Sequence, residues 1–179
     1  MTDEELVRRL IDAMDRYNPI YDEVFWEVSD HIRNHGEIGK LDLAALVCWK
    51  RSGQGHWVLE LMEWRDVDVR DRCRAAFADV LTDQQRLDAL APLPGFKRKY
   101  AIATAVLACY DAREFGVIDR NALKGLGCIN RPINSGHGIT LRYLDRLREL
   151  RDLVRVKRPS ATARNVDQGL WVLGSECGN

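Results

Sequence analysis

Residues 93–101 read Leu93-Pro94-Gly95-Phe96-Lys97-Arg98-Lys99-Tyr100-Ala101, and this stretch decides how the rest of the chain is read. A helical segment runs into it, and Pro-Gly stops a helix and turns the backbone. The apolar run Ala101 to Tyr110 then opens a second helix. The first N–H groups of that helix have no partner within it and carry the positive end of its dipole, a combination that suits a phosphate. Lys97, Arg98 and Lys99 add three cations at the same pole. The pattern predicts a helix–hairpin–helix.

Downstream lies Val117-Ile118-Asp119, an aspartate behind two β-branched residues. A helix from Lys99 to Tyr110 is about 18 Å long at ~1.5 Å per residue. The segment 111–118 extends up to about 26 Å at ~3.3 Å per residue, so it is long enough to return Asp119 to the hairpin end. Asp119 also precedes Arg120-Asn121-Ala122-Leu123, where an N-cap belongs.

The run LPGFKRKYAIATAVLACYDAREFGVIDRNALKGL resembles the helix–hairpin–helix glycosylase superfamily, which includes endonuclease III, adenine glycosylase and 8-oxoguanine glycosylase. Its members carry L-P-G-hydrophobic-G-x-K-x-A, an apolar helix, and an apolar-Asp pair about twenty residues on. Position by position, the resemblance implies that Lys99 corresponds to the Schiff-base lysine of bifunctional members and Asp119 to their catalytic aspartate. The second hairpin glycine of the family is Lys97 here. The chain is more closely similar to a group of uncharacterised bacterial proteins that share a Trp-Lys pair upstream (Trp49-Lys50) and an Asp-x-x-hydrophobic-Trp near the C-terminus (Asp167 to Trp171). The resemblance implies two helical lobes with a cleft between them, 40–128 forming one and 1–35 with 139–179 the other.

Composition sets the frame. The chain has 179 residues, 46% hydrophobic and 30% charged, the profile of a globular domain large enough to bury a core. No stretch approaches twenty apolar residues, so no membrane span is expected. The acidic start MTDEELVRRL is unlike a signal peptide, and cytoplasmic is the default. The five cysteines (48, 73, 109, 128 and 177) include no CxxC pair, so neither a zinc site nor an iron–sulfur loop is expected, nor a disulfide or any cofactor. Net charge is zero, yet residues 97–164 hold 15 Lys/Arg against 6 Asp/Glu, and the remainder holds 12 against 21. Such asymmetry points to an anionic partner for the basic region, or to a basic half docked on an acidic one.

Periodicity predicts helices over 2–17, 21–35, 41–51, 66–81, 83 to the hairpin, 101–110, 120–124, 140–156 and 161–173, with helix favoured for 57–62. Strand signals are nearly absent. The fold class is all-α. Between Gly125 and Gly138, four glycines and a proline predict a loop of functional length.

The candidate site follows. Lys99 as nucleophile and Asp119 as stabiliser of a cationic sugar would excise a flipped base from duplex DNA. Gly95, Lys97 and Arg98 would hold phosphate, and Asn130, His137 or Trp49 would line a base pocket. A free lysine is protonated near pH 7, and cationic neighbours or desolvation would be needed to release its lone pair. The residues alone leave two other readings open. One is a helix–hairpin–helix module that binds DNA or protein without catalysis. The other is a helical interaction domain.

Overall fold

The computed structural model describes residues 1–50, 55–96 and 101–177. Their regular structure is ten α-helices and one 3-10 turn, so the fold is all-α. No helix among the described residues is long and apolar enough to cross a membrane. The chain divides into two compact units, residues 1–18 with 111–179, and residues 19–110.

The unit 19–110 is built on α7 (Ala101–Tyr110), in which every residue from Ala101 to Cys109 is buried. A helix apolar all round can only be stable when surrounded. It packs against α2 (Glu23–His35), α3 (Lys40–Lys50) and α6 (Asp83–Leu90). Phe25, Val28, Ile32, Leu43, Leu46, Leu87 and Leu90 fill the space between them. The Ser29 hydroxyl donates to the Cys109 carbonyl at 2.8 Å, so a buried polar group of α2 is satisfied on α7. The 3-10 turn Pro19–Asp22 leads into α2, which ends on Gly36 at φ +74°.

One expectation fails in this unit for a physical reason. The helix predicted over 66–81 is α5 (Asp66–Ala76) and stops five residues early. Buried Arg86 donates to the Ala76 carbonyl at 2.7 Å, and the Tyr110 hydroxyl to the Phe77 carbonyl at 2.8 Å. These donors satisfy carbonyls that a helix end leaves open. Val80, which completes the apolar stripe in the sequence, is 93% exposed. The segment favoured as helix over 57–62 is α4 (Gly55–Glu63), of which only Leu61 is buried.

The second unit joins α1 (Asp3–Asp15) to α8 (Arg120–Cys128), α9 (Ile139–Arg155) and α10 (Ala163–Glu176). Thr2 caps α1, and Thr162 with Asn165 forms a capping box on α10. The predicted loop 125–138 is helical over its first four residues. Gly125 and Gly174 explain this: a Cβ on Gly125 would strike the Leu170 carbonyl, and one on Gly174 the Asn121 carbonyl. The glycines let α8 and α10 cross backbone to backbone.

Within the two units, α2 packs on α3 and α7, and α8 lies against α10.

The expected absence of a disulfide is corrected. The crossing of α8 and α10 brings the Cys128 and Cys177 sulfurs into bonding contact, with Cα atoms 6.6 Å apart, inside the range a disulfide spans. Sequence spacing gives no sign of this, because 49 residues separate the pair. Cys48 is exposed, whereas Cys73 and Cys109 are buried, and burial pushes the Cys73 thiol up to about 12. DTNB is therefore expected to titrate one thiol, Cys48, in the native oxidised protein, and the two buried ones only on unfolding. A native count above one would show that Cys128 and Cys177 are not joined.

Candidate functional site

The hairpin is described up to Phe96; Lys97, Arg98 and Lys99 lie outside the described residues. The turn itself has a clear cause. Phe96 N–H donates to the Leu93 carbonyl at 3.2 Å, and Gly95 takes φ +81°. Pro94 at the second position and a positive-φ glycine at the third make the pattern of a type II turn. Leu93 and Phe96 are buried on either side of it. The face of Gly95 is covered by Trp57 from α4, whose ring atoms would lie 2.6 Å from a Cβ placed there.

Asp119 takes extended backbone (φ −148°, ψ 178°) and caps α8, its carboxylate accepting from Ala122 N–H at 2.8 Å. It is half-buried, while Val117 and Ile118 before it are buried. The N-cap reading thus holds, and the negative charge sits at the positive end of the helix. Arg120 and Lys124, one turn apart on α8, are exposed.

Behind Asp119 lies a polar cluster that sequence reasoning did not assemble. Asp167 on α10 is 1% exposed. It accepts from Val117 N–H at 3.0 Å, from the Tyr143 hydroxyl and from the Arg164 guanidinium. Tyr143 on α9 is fully buried. Burial pushes the Asp167 carboxyl above its ordinary range, the Arg164 guanidinium opposes that, and the charge of Asp119 adds to it. Burial, then the charge of Asp167, pushes the Tyr143 phenol well up, so it stays a hydrogen-bond donor. The signal available in the sequence was Asp167 itself, with Arg164 three residues before it; the other two partners come from 24 and 50 residues away.

The three base-pocket candidates stand in different surroundings. Asn130 is exposed, with φ +57° where the chain leaves α8. It stands at the opposite end of that helix from Asp119, about 16 Å away at ~1.5 Å per residue. His137 is exposed, and its carbonyl accepts from Arg142 at 2.9 Å. Trp49, in the other unit, donates its indole N–H to the Tyr21 carbonyl at 2.5 Å and packs beside Phe25. The glycine-rich loop and α9 line an open pocket of about 330 Å³, formed by Pro132, Ile133, Asn134, Arg142, Arg146 and two carboxylates, Asp145 and Glu149.

The charge asymmetry of the sequence largely vanishes in the folded units. Residues 1–18 with 111–179 hold 15 Lys/Arg and 13 Asp/Glu; residues 19–110 hold 12 and 14. Several arginines of the basic region pair with carboxylates of the same unit: Arg131 with Asp3, Arg158 with Asp15, and Arg151 and Arg148 with Glu114. Among the described residues no cluster of His, Cys, Asp and Glu is placed to hold a metal ion. Comparison with protein-family models, with curated proteins and with solved structures finds no match.

Proposed function

We propose that the chain is a DNA-binding protein of the helix–hairpin–helix glycosylase superfamily and a base-excision N-glycosylase with lyase activity. The observation that carries the reading is the setting of Asp119: a half-buried carboxylate held at the head of α8 by its own cap bond. Support also comes from the resemblance over 93–119 and from the type II turn at Gly95. In this reading Lys99 Nζ attacks C1′ of the flipped nucleotide as the C1′–N bond breaks. The departing base takes the bonding pair and a proton. Asp119 stabilises the positive charge that develops on the sugar and moves the proton. The sugar's C1′–O4′ bond then opens, the nitrogen supplying a lone pair and O4′ taking the bonding pair and a proton, and the resulting imine is reducible by borohydride to a stable secondary amine.

The test uses duplexes carrying a single oxidised, alkylated or deaminated base. Incubation with borohydride is expected to trap a covalent complex with the native protein and none with Lys99→Ala. Asp119→Asn is expected to slow trapping by about 10²-fold or more. Arg120→Ala with Lys124→Ala is expected to lower the salt slope of duplex binding by about 1.8, about 0.9 for each phosphate that is no longer neutralised. No trapped complex on any duplex, with salt-dependent binding retained, overturns the enzymatic reading.

The pairing of these arginines with carboxylates of their own unit favours a second reading, a non-catalytic helical module for protein partners. Absence of any duplex binding at low salt selects it.

A further inference from the structure

The segment that carries Asp119 is tied to α10 along most of its length. At the start of α10, Ala163 N–H donates to the Arg113 carbonyl at 3.1 Å and Arg164 N–H to the Ala112 carbonyl at 3.0 Å. One turn on, the Asp167 carboxylate accepts from Val117 N–H. Further along, the Leu170 carbonyl meets Gly125, and Gly174 meets Asn121. Positions 167, 170 and 174 share one helix face. α10 therefore contacts the chain on both sides of Asp119.

Asp167 differs in kind from the other contacts. The glycine crossings need only close packing, whereas Asp167 brings a charge into the core, which is costly unless every lone pair finds a donor. Here three donors converge: a backbone amide, a phenol and a guanidinium. Val117 is itself buried, so its N–H needs an acceptor, and no backbone carbonyl among the described residues supplies one. Gly116 completes the arrangement. A Cβ there would come 2.8 Å from Asp167 Cβ and 2.6 Å from Leu147 Cδ1, so only glycine lets the backbone approach the carboxylate this closely.

We propose that Asp167, oriented by Tyr143 and Arg164, is a positioning residue that holds Val117 and thereby fixes the carboxylate of Asp119, two residues on. This rests on the reading that Asp119 serves base excision. Asp167 touches no substrate; it acts through the backbone of 117–119.

The test compares the full chain with Asp167→Asn, Asp167→Ala and Tyr143→Phe. Amide hydrogen exchange is expected to rise by about 10- to 100-fold at Val117 and in the first turn of α8 in Asp167→Ala, with α9 and the unit 19–110 unchanged. Asp167→Asn keeps an oxygen for Val117 and is expected to recover most of that protection; it and Tyr143→Phe carry the test if the alanine variant does not fold. In single-turnover excision from the lesion duplexes, the rate is expected to fall about tenfold while duplex affinity holds. Unchanged exchange at 117–122, or a rise spread evenly over the whole unit, overturns the positioning role. If the native protein excises no base, the glycosylase reading fails, and the exchange pattern alone still decides whether Asp167 holds Asp119.

Discussion

Gly174→Ala is expected to lower stability in urea denaturation by about 3 kcal/mol, the upper range for overpacking a core. The reason is backbone, not side chain. A methyl on Gly174 falls on the Asn121 carbonyl and beside the Gly125 amide, 2.8 Å from its nitrogen. Neither group can rotate away, so α8 or α10 must shift as a whole. The same helix pair supplies the control. Gly127 lies in α8, is exposed, and has nothing within 4 Å of a Cβ. There alanine removes only the conformational entropy of glycine, and Gly127→Ala is expected to stabilise by up to ~1 kcal/mol. Two identical substitutions, on helices that cross, should thus move the midpoint in opposite directions. Equal effects would mean that the crossing is looser than the backbone contacts require.

The second large effect is expected at the hairpin. Gly95→Ala forces a Cβ into left-handed backbone, at a cost of about 1–2 kcal/mol, and drives it into the Trp57 ring. A total loss of about 2–4 kcal/mol is expected. The two contributions separate in a double-mutant cycle. Trp57→Ala removes the steric part and leaves the backbone part, so Gly95→Ala should cost at least ~1 kcal/mol less in that background. Strict additivity of the two substitutions would remove Trp57 from the account of the turn. If the proposed function holds, Gly95→Ala also weakens duplex binding, and Trp57→Ala does not restore it, because the turn remains strained.

The elements that local chemistry specifies were legible from the sequence. Thr2, Thr82 with Gln85, and Gly36 mark helix ends through short-range hydrogen bonds or positive φ, and each was readable in place. The Pro94-Gly95 turn and the Asp119 cap belong to the same class. What escaped depends on residues distant in the chain. The end of α5 is set by Arg86 and Tyr110, and the apolar stripe through Val80 pointed past it. Gly125 has the composition of a loop and the role of a helix crossing, a distinction made only by Leu170. The basic stretch looked like a polyanion surface, yet its arginines find Asp3, Asp15 and Glu114. The Asp167 cluster escaped for the same reason: Arg164 lies three residues away, but Tyr143 and the Val117 amide are distant in sequence.

The division of the chain has a kinetic corollary. One unit is a contiguous run of 92 residues, 19–110, while the other joins residues 1–18 to 111–179 across it. Bringing two ends together over an unstructured span of that length costs about 4 kcal/mol of chain entropy. A run already collapsed into its own helical bundle shortens the span and relieves most of that cost. Assembly is therefore expected to follow an order in which the inserted bundle matures before α1 docks on the rest of its unit.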